Sequence, residues 1–383
     1  VKVKKNIYHF ICSFLIFFLL TALPAVLSGN PDSDTELLKK ISTQYIRNTM
    51  KTSKTFEEAA SQLGLSGAEL TRICTMLAIK ISDYYVTPED NASVEKISSK
   101  KYFPDVIIDY NSATPYVFLV EKSTHKIFVL KYQNGQRSLE AVFECKTGQI
   151  KGDKKEEGDK KTPEGIFFLI ARYDRDQISK IVGKENVFQY GELAFVTDFP
   201  NHIDRINNKN GGGIWLHGTD ESFFDTTSDD TRGCVVTTNE TIKKLAQYIH
   251  LGKTPLIITE NLNFLNKEEY QAARKEFIGR LDTWRKAWEG ENTKDYIGHY
   301  SGLFVDGGRN REQYRLYKAG IFRNVTINHI KLNDITLFKY NDGLVAQFIQ
   351  DYSASNMSTK NLKRLYYIKN KNSWEIIAEL IRN

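Results

Sequence analysis

Apolar residues change their spacing twice along the chain, and each change marks a different kind of structure. Between residues 34 and about 82, Leu38, Ile41 and Tyr45 recur at helical spacing. Thr55 with Glu58 and Ser66 with Glu69 form capping-box pairs on either side of Gly64. This predicts a small helical unit, followed by a polar, loop-like linker over 83–115. From Tyr116 the period shortens. Val117–Glu121, Lys126–Tyr132 and Leu139–Thr147 read as strands, with Asn134-Gly135 as a hairpin turn between the last two. Gly165–Tyr173, Ile214–His217 and Pro255–Thr259 read as further strands, and Asn239–His250 as an amphipathic helix. Lys267–Glu289 then repeats Ala273, Phe277, Leu281, Trp284 and Trp288 on one helical face. Strands follow near Val325–Leu332, Ile335–Tyr340, Leu344–Tyr352, Leu365–Lys369 and Trp374–Leu380, two of them joined at Asn341-Asp342-Gly343. The expected fold is multidomain: helical unit and linker (30–115), a mainly-β domain (116–262), and an α+β domain of helix over curved antiparallel sheet (263–383).

The first 29 residues stand apart. Val1–Lys5 is basic, Phe10–Leu27 is almost wholly apolar, and Ser28 and Gly29 are small. That order predicts a signal peptide over 1–29 and export to the periplasm or cell envelope. An uncleaved inner-membrane anchor is the alternative, since the run approaches the ~18–20 residues that span a bilayer. Cys12 lies inside the run rather than at its end, so it does not read as an acylation site. The remaining three cysteines, Cys74, Cys145 and Cys234, are an odd number, which points to at least one free thiol. Whether Cys74 and Cys145 pair is left open.

Composition narrows the function. Hydrophobic residues make up 41% and aromatic residues 12%, enough for real cores. The net charge is +6, of which Lys2, Lys4 and Lys5 supply half. The rest is too mild and dispersed for a nucleic-acid binder. Thr55–Lys80 has a helix-turn-helix outline but no basic recognition face, so packing or homodimerisation through the N-terminal helices is the better reading.

The chemistry concentrates between Gly211 and Asn239. His217 ends an apolar strand in IWLHGT, and Cys234 sits in TRGCVV just before a helix. A thiolate is a strong nucleophile that needs a neighbouring base, and histidine is the natural partner. Gly233 lets the backbone approach a substrate, and the amides of Arg232, Gly233 and Cys234 make a candidate oxyanion hole. Rival chemistry is weaker. The seven histidines are scattered without zinc spacing, and only His202, His217 and Cys234 offer a convergent set. Asp225, Asp229 and Asp230 lack an EF-hand pattern, and no Lys-Ser/Thr follows Gly211–Gly213 to make a phosphate loop. No metal and no cofactor are therefore expected. Lys151–Lys161 mixes bases with acids and reads as a mobile, solvated loop at the cleft rim.

The arrangement IWLHGT…TRGCVV resembles the signature of the YkuD-type L,D-transpeptidase domain: strand-end His-Gly, a spacer, then Ser/Thr-x-Gly-Cys. The likeness extends to TPYVFLVEKSTHKIFVL, to the Gly152–Phe168 run with its TPEG segment, and to NETIKKLAQYIHLGKTPLII. It covers Tyr116 to Glu260. The resemblance implies a β-sandwich-like catalytic domain with Cys234 as nucleophile, His217 as general base and the Gly218 carbonyl orienting the imidazole. Thr231 takes the Ser/Thr position, and Thr231, Arg232, Gly233 and Trp215 become oxyanion and substrate-binding candidates. Arg232 departs from the histidine of many members, and Val236 from their Arg or Asn. The implied substrate is the peptidoglycan stem peptide, attacked at the L-centre carbonyl of diaminopimelate with release of D-Ala. An amine acceptor makes the protein an L,D-transpeptidase; water makes it an L,D-carboxypeptidase. The three-part layout is similar to cell-shape-determining L,D-carboxypeptidases with a cone-shaped C-terminal domain of the SnoaL or nuclear-transport-factor type. A pocket in that domain would take a glycan or protein ligand rather than catalyse; as an acid–base pair only His299 and Asp306 offer themselves, by residue type alone. The competing class is a non-catalytic envelope-binding protein, against which the intact Cys–His pair argues.

Overall fold

The computed structural model describes residues 43–50, parts of 53–79, and 88–383 apart from 221–223, 225–230, 372 and 383. The apolar run at 10–27, Thr55, Glu69 and the three loop aspartates lie outside the described residues. The chain divides into two compact units, Val1–Ala92 and Ser93–Asn383.

In the first unit, residues 43–50 and Phe56–Leu63 are helical. The second helix ends where Gly64 takes a left-handed conformation (φ +71°) and Leu65 N–H donates back to the Ala60 carbonyl. Ile46, Met50, Ala60, Leu63, Leu70 and Cys74 close a core of its own. Burial pushes the Cys74 thiol up to about 11, so it packs as a small hydrophobe.

The second unit starts within the stretch predicted as a loop, and here the structure corrects the sequence. A helix runs over Pro88–Ser98, and two short strands follow, β1 (Phe103–Pro104) and β2 (Ile107–Asp109). An eight-stranded sheet then builds from β3 (Tyr116–Glu121), β4 (Lys126–Gln133), β5 (Gln136–Glu144), β6 (Gly165–Asp174), β7 (Leu193–Thr197), β8 (Trp215–His217), β9 (Val235–Val236) and β10 (Pro255–Thr259). Their order is β5-β4-β3-β10-β6-β7-β8-β9. The strand β10 lies parallel to β3 and antiparallel to β6, which places it mid-sheet with all five residues buried. Period-two geometry splits β3 between two cores: Val117 and Leu119 face one, Phe118 and Val120 the other. A strand buried on both sides reads as the continuous apolar run seen in the sequence.

After β11 (Phe264–Leu265), which pairs with β1, the chain enters the helix Lys267–Glu289. Asn266 caps it in a reciprocal box with Glu269. A second helix, Thr293–Gly298, is followed by the hairpin β12 (Val305–Asp306) and β13 (Arg309–Asn310). The helix Arg311–Asn324 was not foreseen in the sequence. Four long strands complete the domain: β14 (Ile327–Tyr340), β15 (Gly343–Ala354), β16 (Met357–Asn370) and β17 (Ser373–Arg382). The sheet order is β17-β16-β15-β14-β2, so β2 from the supposed linker forms its edge.

The helices cover one face of this sheet, where Phe277, Leu281, Trp284 and Trp288 meet Leu337, Phe348, Leu365 and Ile376. The other face packs on the eight-stranded sheet: Phe338, Val345, Tyr366 and Ile377 share a core with Val117, Leu119, Phe128 and Phe168. Apolar burial at roughly 1.5–3 kcal/mol per large side chain makes this a firm union. Arg364 sits within it, 1% exposed, donating to the Gly252 carbonyl and Gln347 and lying against the Phe168 ring. The neighbouring Asp198 is pushed up to about 6 by burial, against the opposing charge of Arg364.

Candidate active site

The register of two short parallel strands brings the cysteine and histidine together. Leu216 of β8 pairs with Val235 of β9, and both point into the core. Alternation then turns the flanking His217 and Cys234 to the opposite face. There they line a cleft of about 800 Å³ with Tyr190, Thr231, Arg232 and Lys146. The cysteine is half-buried and Arg232 exposed.

His217 is 3% exposed, and its Nδ1 lies 2.7 Å from the Gly218 carbonyl oxygen. A carbonyl only accepts, so Nδ1 carries the proton and Nε2 is left as the basic nitrogen. The Tyr190 ring packs against the imidazole, centroids 4.9 Å apart, and meets the Trp215 indole edge-on. Trp215 itself is 8% exposed; its contact with the thiol runs through its backbone N–H, 3.5 Å from Sγ.

The turn carrying Cys234 is held by two threonines. Thr231 Oγ1 donates to the Cys234 carbonyl at 2.8 Å and accepts from Gly233 N–H at 3.1 Å. Thr162 Oγ1 accepts from Gly148 N–H at 2.8 Å and donates to the Gly233 carbonyl at 3.0 Å. Gly233 adopts φ +125°, and a Cβ there would sit 2.6 Å from the Lys161 carbonyl oxygen, so only glycine fits. One expectation is corrected: the Gly233 amide is committed to Thr231, leaving those of Arg232 and Cys234 as the candidate oxyanion donors.

Electrostatics favour neutral partners at rest. Burial pushes the Cys234 thiol up to about 11, opposed by the Trp215 N–H and the charge of Lys154. The Sγ lies 3.5 Å from the Gly213 carbonyl, a contact in which the thiol donates. Burial pushes His217 down to about 4, opposed by its bond to Gly218. The Lys151–Lys161 stretch is a largely exposed loop with one buried member: Lys154 is 3% exposed, pairing with Asp159 at 2.7 Å and with the Glu156 carbonyl at 2.9 Å. Against its burial, the Lys154 ammonium and the backbone amides of Lys155, Lys161 and Glu156 hold the Asp159 carboxyl down at about 2. His202 is not in the cleft; its ring packs on Tyr366. No group of three or more metal-ligating side chains occurs among the described residues. No disulfide joins any of Cys74, Cys145 and Cys234.

Comparison with known proteins agrees with this geometry. Residues 115–258 match the YkuD L,D-transpeptidase catalytic domain, and residues 276–380 the Cds6 C-terminal NTF2-like domain. Bd1075 of Bdellovibrio bacteriovorus is 31% identical, with 73% of this chain and 98% of that one covered at a TM-score of 0.64. The chain belongs to the YkuD-type L,D-transpeptidase family. The helical cell shape determining protein Pgp2 of Campylobacter jejuni is 28% identical, with 74% of this chain and 95% of that one covered at a TM-score of 0.55. No curated protein sequence matches.

In this L,D-transpeptidase domain, the sequence reading missed three supporting residues: Thr162, Tyr190 and Asn239. Asn239 accepts from Glu192 N–H at 2.8 Å and donates to Asp220 at 2.7 Å, tying the helix after Cys234 to the segment behind Tyr190. The TPEG resemblance contains Thr162 and is the one signal that pointed near them. No helix among the described residues is long and apolar enough to cross a membrane.

Proposed function

We propose that this protein is an exported cysteine acyltransferase acting on peptidoglycan stem peptides, with Cys234 as nucleophile and His217 as base. The supporting observation is a single cleft holding the Cys234 thiol and an imidazole whose Nδ1–H is committed to Gly218. His217 Nε2 takes the thiol proton as sulfur attacks the L-centre carbonyl of diaminopimelate. The neutral resting pair makes that transfer part of the attack, so no thiolate waits in the empty cleft. The amides of Cys234 and Arg232 receive the developing oxyanion. His217 then returns the proton to the D-Ala amine, the C–N bond breaks, and a thioester on Cys234 remains. Water or a second stem's amine resolves it. The order of N-terminal helical unit, catalytic domain and C-terminal domain behind a signal segment, together with the likeness to Pgp2, favours water and a part in cell shape.

The test is mass spectrometry of tetrapeptide muropeptides incubated with the protein and with Cys234→Ala. Tripeptide plus free D-Ala from the wild type alone is expected. A cross-linked dimer would assign the amine acceptor instead, and equal turnover by Cys234→Ala would sink the reading.

A further inference from the structure

A cleft larger than the catalytic one opens where the tip of the β4–β5 hairpin meets β2 and the first turns of the helix Lys267–Glu289. Its volume is about 1040 Å³. Tyr270, Arg274 and Ile278 recur every four residues, so they share one helix face, and that face lines the cleft. Phe277 and Leu281 turn instead into the C-terminal core. Arg137, the second residue of β5, comes from the edge strand of the eight-stranded sheet, and Asp109 from the end of β2. None of these residues lines the catalytic cleft.

The floor of this cleft is a charge cluster. Asp109 is 6% exposed and both its carboxylate oxygens are taken: Oδ1 accepts from Arg137, and Oδ2 from Arg274 Nε at 2.6 Å. The Arg137 guanidinium lies 4.9 Å from the Tyr110 ring centroid and 5.3 Å from that of Tyr270. It also donates to the Tyr270 hydroxyl and, at 3.3 Å, to the Tyr110 carbonyl. Rings and hydrogen bonds therefore fix Arg137 in place. Arg274 differs. Half of its side chain is exposed, and among the described residues only its Nε has a hydrogen-bond partner. One carboxylate shared by two guanidiniums leaves a positive charge over. The open terminal amino groups of Arg274 form the fork that takes a carboxylate through two parallel bonds.

The wall is aromatic: Tyr102 is 45% exposed, and Tyr132 is braced edge-on by Tyr110. Arg274, Ile278 and Leu332 also line a second cleft of about 980 Å³ along the same helix and β14, so the two run into one groove. Its charge is positive along both parts. Lys100, Arg137 and Arg274 face Asp109 and Asp334 in the first, and Lys275, Arg285 and Lys331 face Asp282 in the second. An elongated groove with exposed rings and surplus guanidinium charge fits a polymer that presents sugar rings and carboxylates together. We propose that this groove binds an acidic glycan strand, seating a carboxylate on the Arg274 fork and sugar rings against Tyr102 and Tyr132. The choice of a glycan rests on the proposed function. Two groups on such a strand carry the carboxylate: the lactyl ethers of a peptide-free strand, and the stem peptides of a substituted one.

The test is calorimetric titration of the full-length protein with soluble peptide-free glycan strands, with strands whose stems are already tripeptides, and with both after their carboxylates are converted to methylamides. At least one free-acid strand should bind saturably, and its amide about tenfold more weakly. Binding of the peptide-free strand identifies the lactyl carboxylate; binding of the tripeptide strand alone identifies the stem. Arg274→Gln should weaken binding about tenfold, an effect that a stem seated in the catalytic cleft would not show. That variant should still fold, because Asp109 keeps Arg137 as its partner. Tyr102→Ala, at an exposed position, should weaken binding as well. Both variants should trim soluble tetrapeptide as the wild type does. No saturable binding of either strand, equal binding of the amides, or undiminished binding by Arg274→Gln would overturn the proposal. A wild type that binds strands but trims no tetrapeptide would strike the proposed function and leave the groove's role standing.

Discussion

Adding one methyl group at Gly218 tests whether the base is held by a backbone carbonyl. A Cβ there would sit 2.6 Å from Asn239 Oδ1 and 2.9 Å from Ile242 Cγ2. Gly218 is not among the left-handed glycines, so the obstacle is space and not backbone conformation. Neither neighbour yields easily. Asn239 is fixed by Glu192 N–H, Asp220 and the Thr219 carbonyl, and Ile242 is fully buried. Restoring an ordinary 3.4 Å contact from 2.6 Å asks for about 0.8 Å of movement. The Gly218 carbonyl has little such room, because its bond to Nδ1 is 2.7 Å and weakens beyond about 3.2 Å. Overpacking of this kind costs about 1–3 kcal/mol, and the lost hydrogen bond about 1 kcal/mol more. A base displaced by about 1 Å loses on the order of 100-fold in rate. Gly218→Ala is thus expected to lower kcat for tetrapeptide trimming about 100-fold with little change in KM, and to lower the melting temperature by several degrees. Chromatography of released tripeptide and a thermal melt read both. Asn239→Ser in the Gly218→Ala background withdraws Oδ1 and should return part of the activity. Wild-type kcat in Gly218→Ala would refute the role given to the carbonyl.

Three further outcomes follow from the same contacts. Thr162→Val removes the hydroxyl bridging Gly148 N–H and the Gly233 carbonyl; about 1–3 kcal/mol of stability should go with it in a denaturant melt, together with turnover, and an unchanged variant would mean the Cys234 turn holds without it. With the thiol pushed up to about 11, iodoacetamide alkylation of Cys234 should climb about tenfold per pH unit from 7 to 10, and a plateau near neutrality would show a preformed thiolate instead. Burial lowers His202, His217 (to about 4) and His299 from 6.5, so between those values the unfolded chain binds more protons and stability falls as pH drops. Asp198, raised to about 6, acts in the opposite sense, stabilising less as pH rises from 3.8 to 6. Asp198→Asn should therefore steepen the loss seen in urea midpoints between pH 6.5 and 4.5; a shallower slope would contradict the assignment.

What the sequence revealed and what it hid divide along a physical line. The Asn134-Gly135 hairpin was legible because both residues take positive φ, at 52° and 76°, which few other pairs tolerate. The Cys–His pair was legible because a strand end and a glycine turn carry their own local signals. The strand β2 was not, because three residues become a strand only through Leu337 and Phe338, more than 200 positions away. The helix Arg311–Asn324 was missed for a different reason: its inward positions are Tyr314 and Lys318, and a buried lysine reads as a solvated one. Lys154 misled the reading of its loop in the same way. In both cases the sequence shows a charge, while only the fold shows what surrounds it: Asp159 and a carbonyl around Lys154, three aromatic rings around Lys318. Pattern-based reading assigns both to the surface, because burial of a long cationic side chain depends on partners far away in the chain.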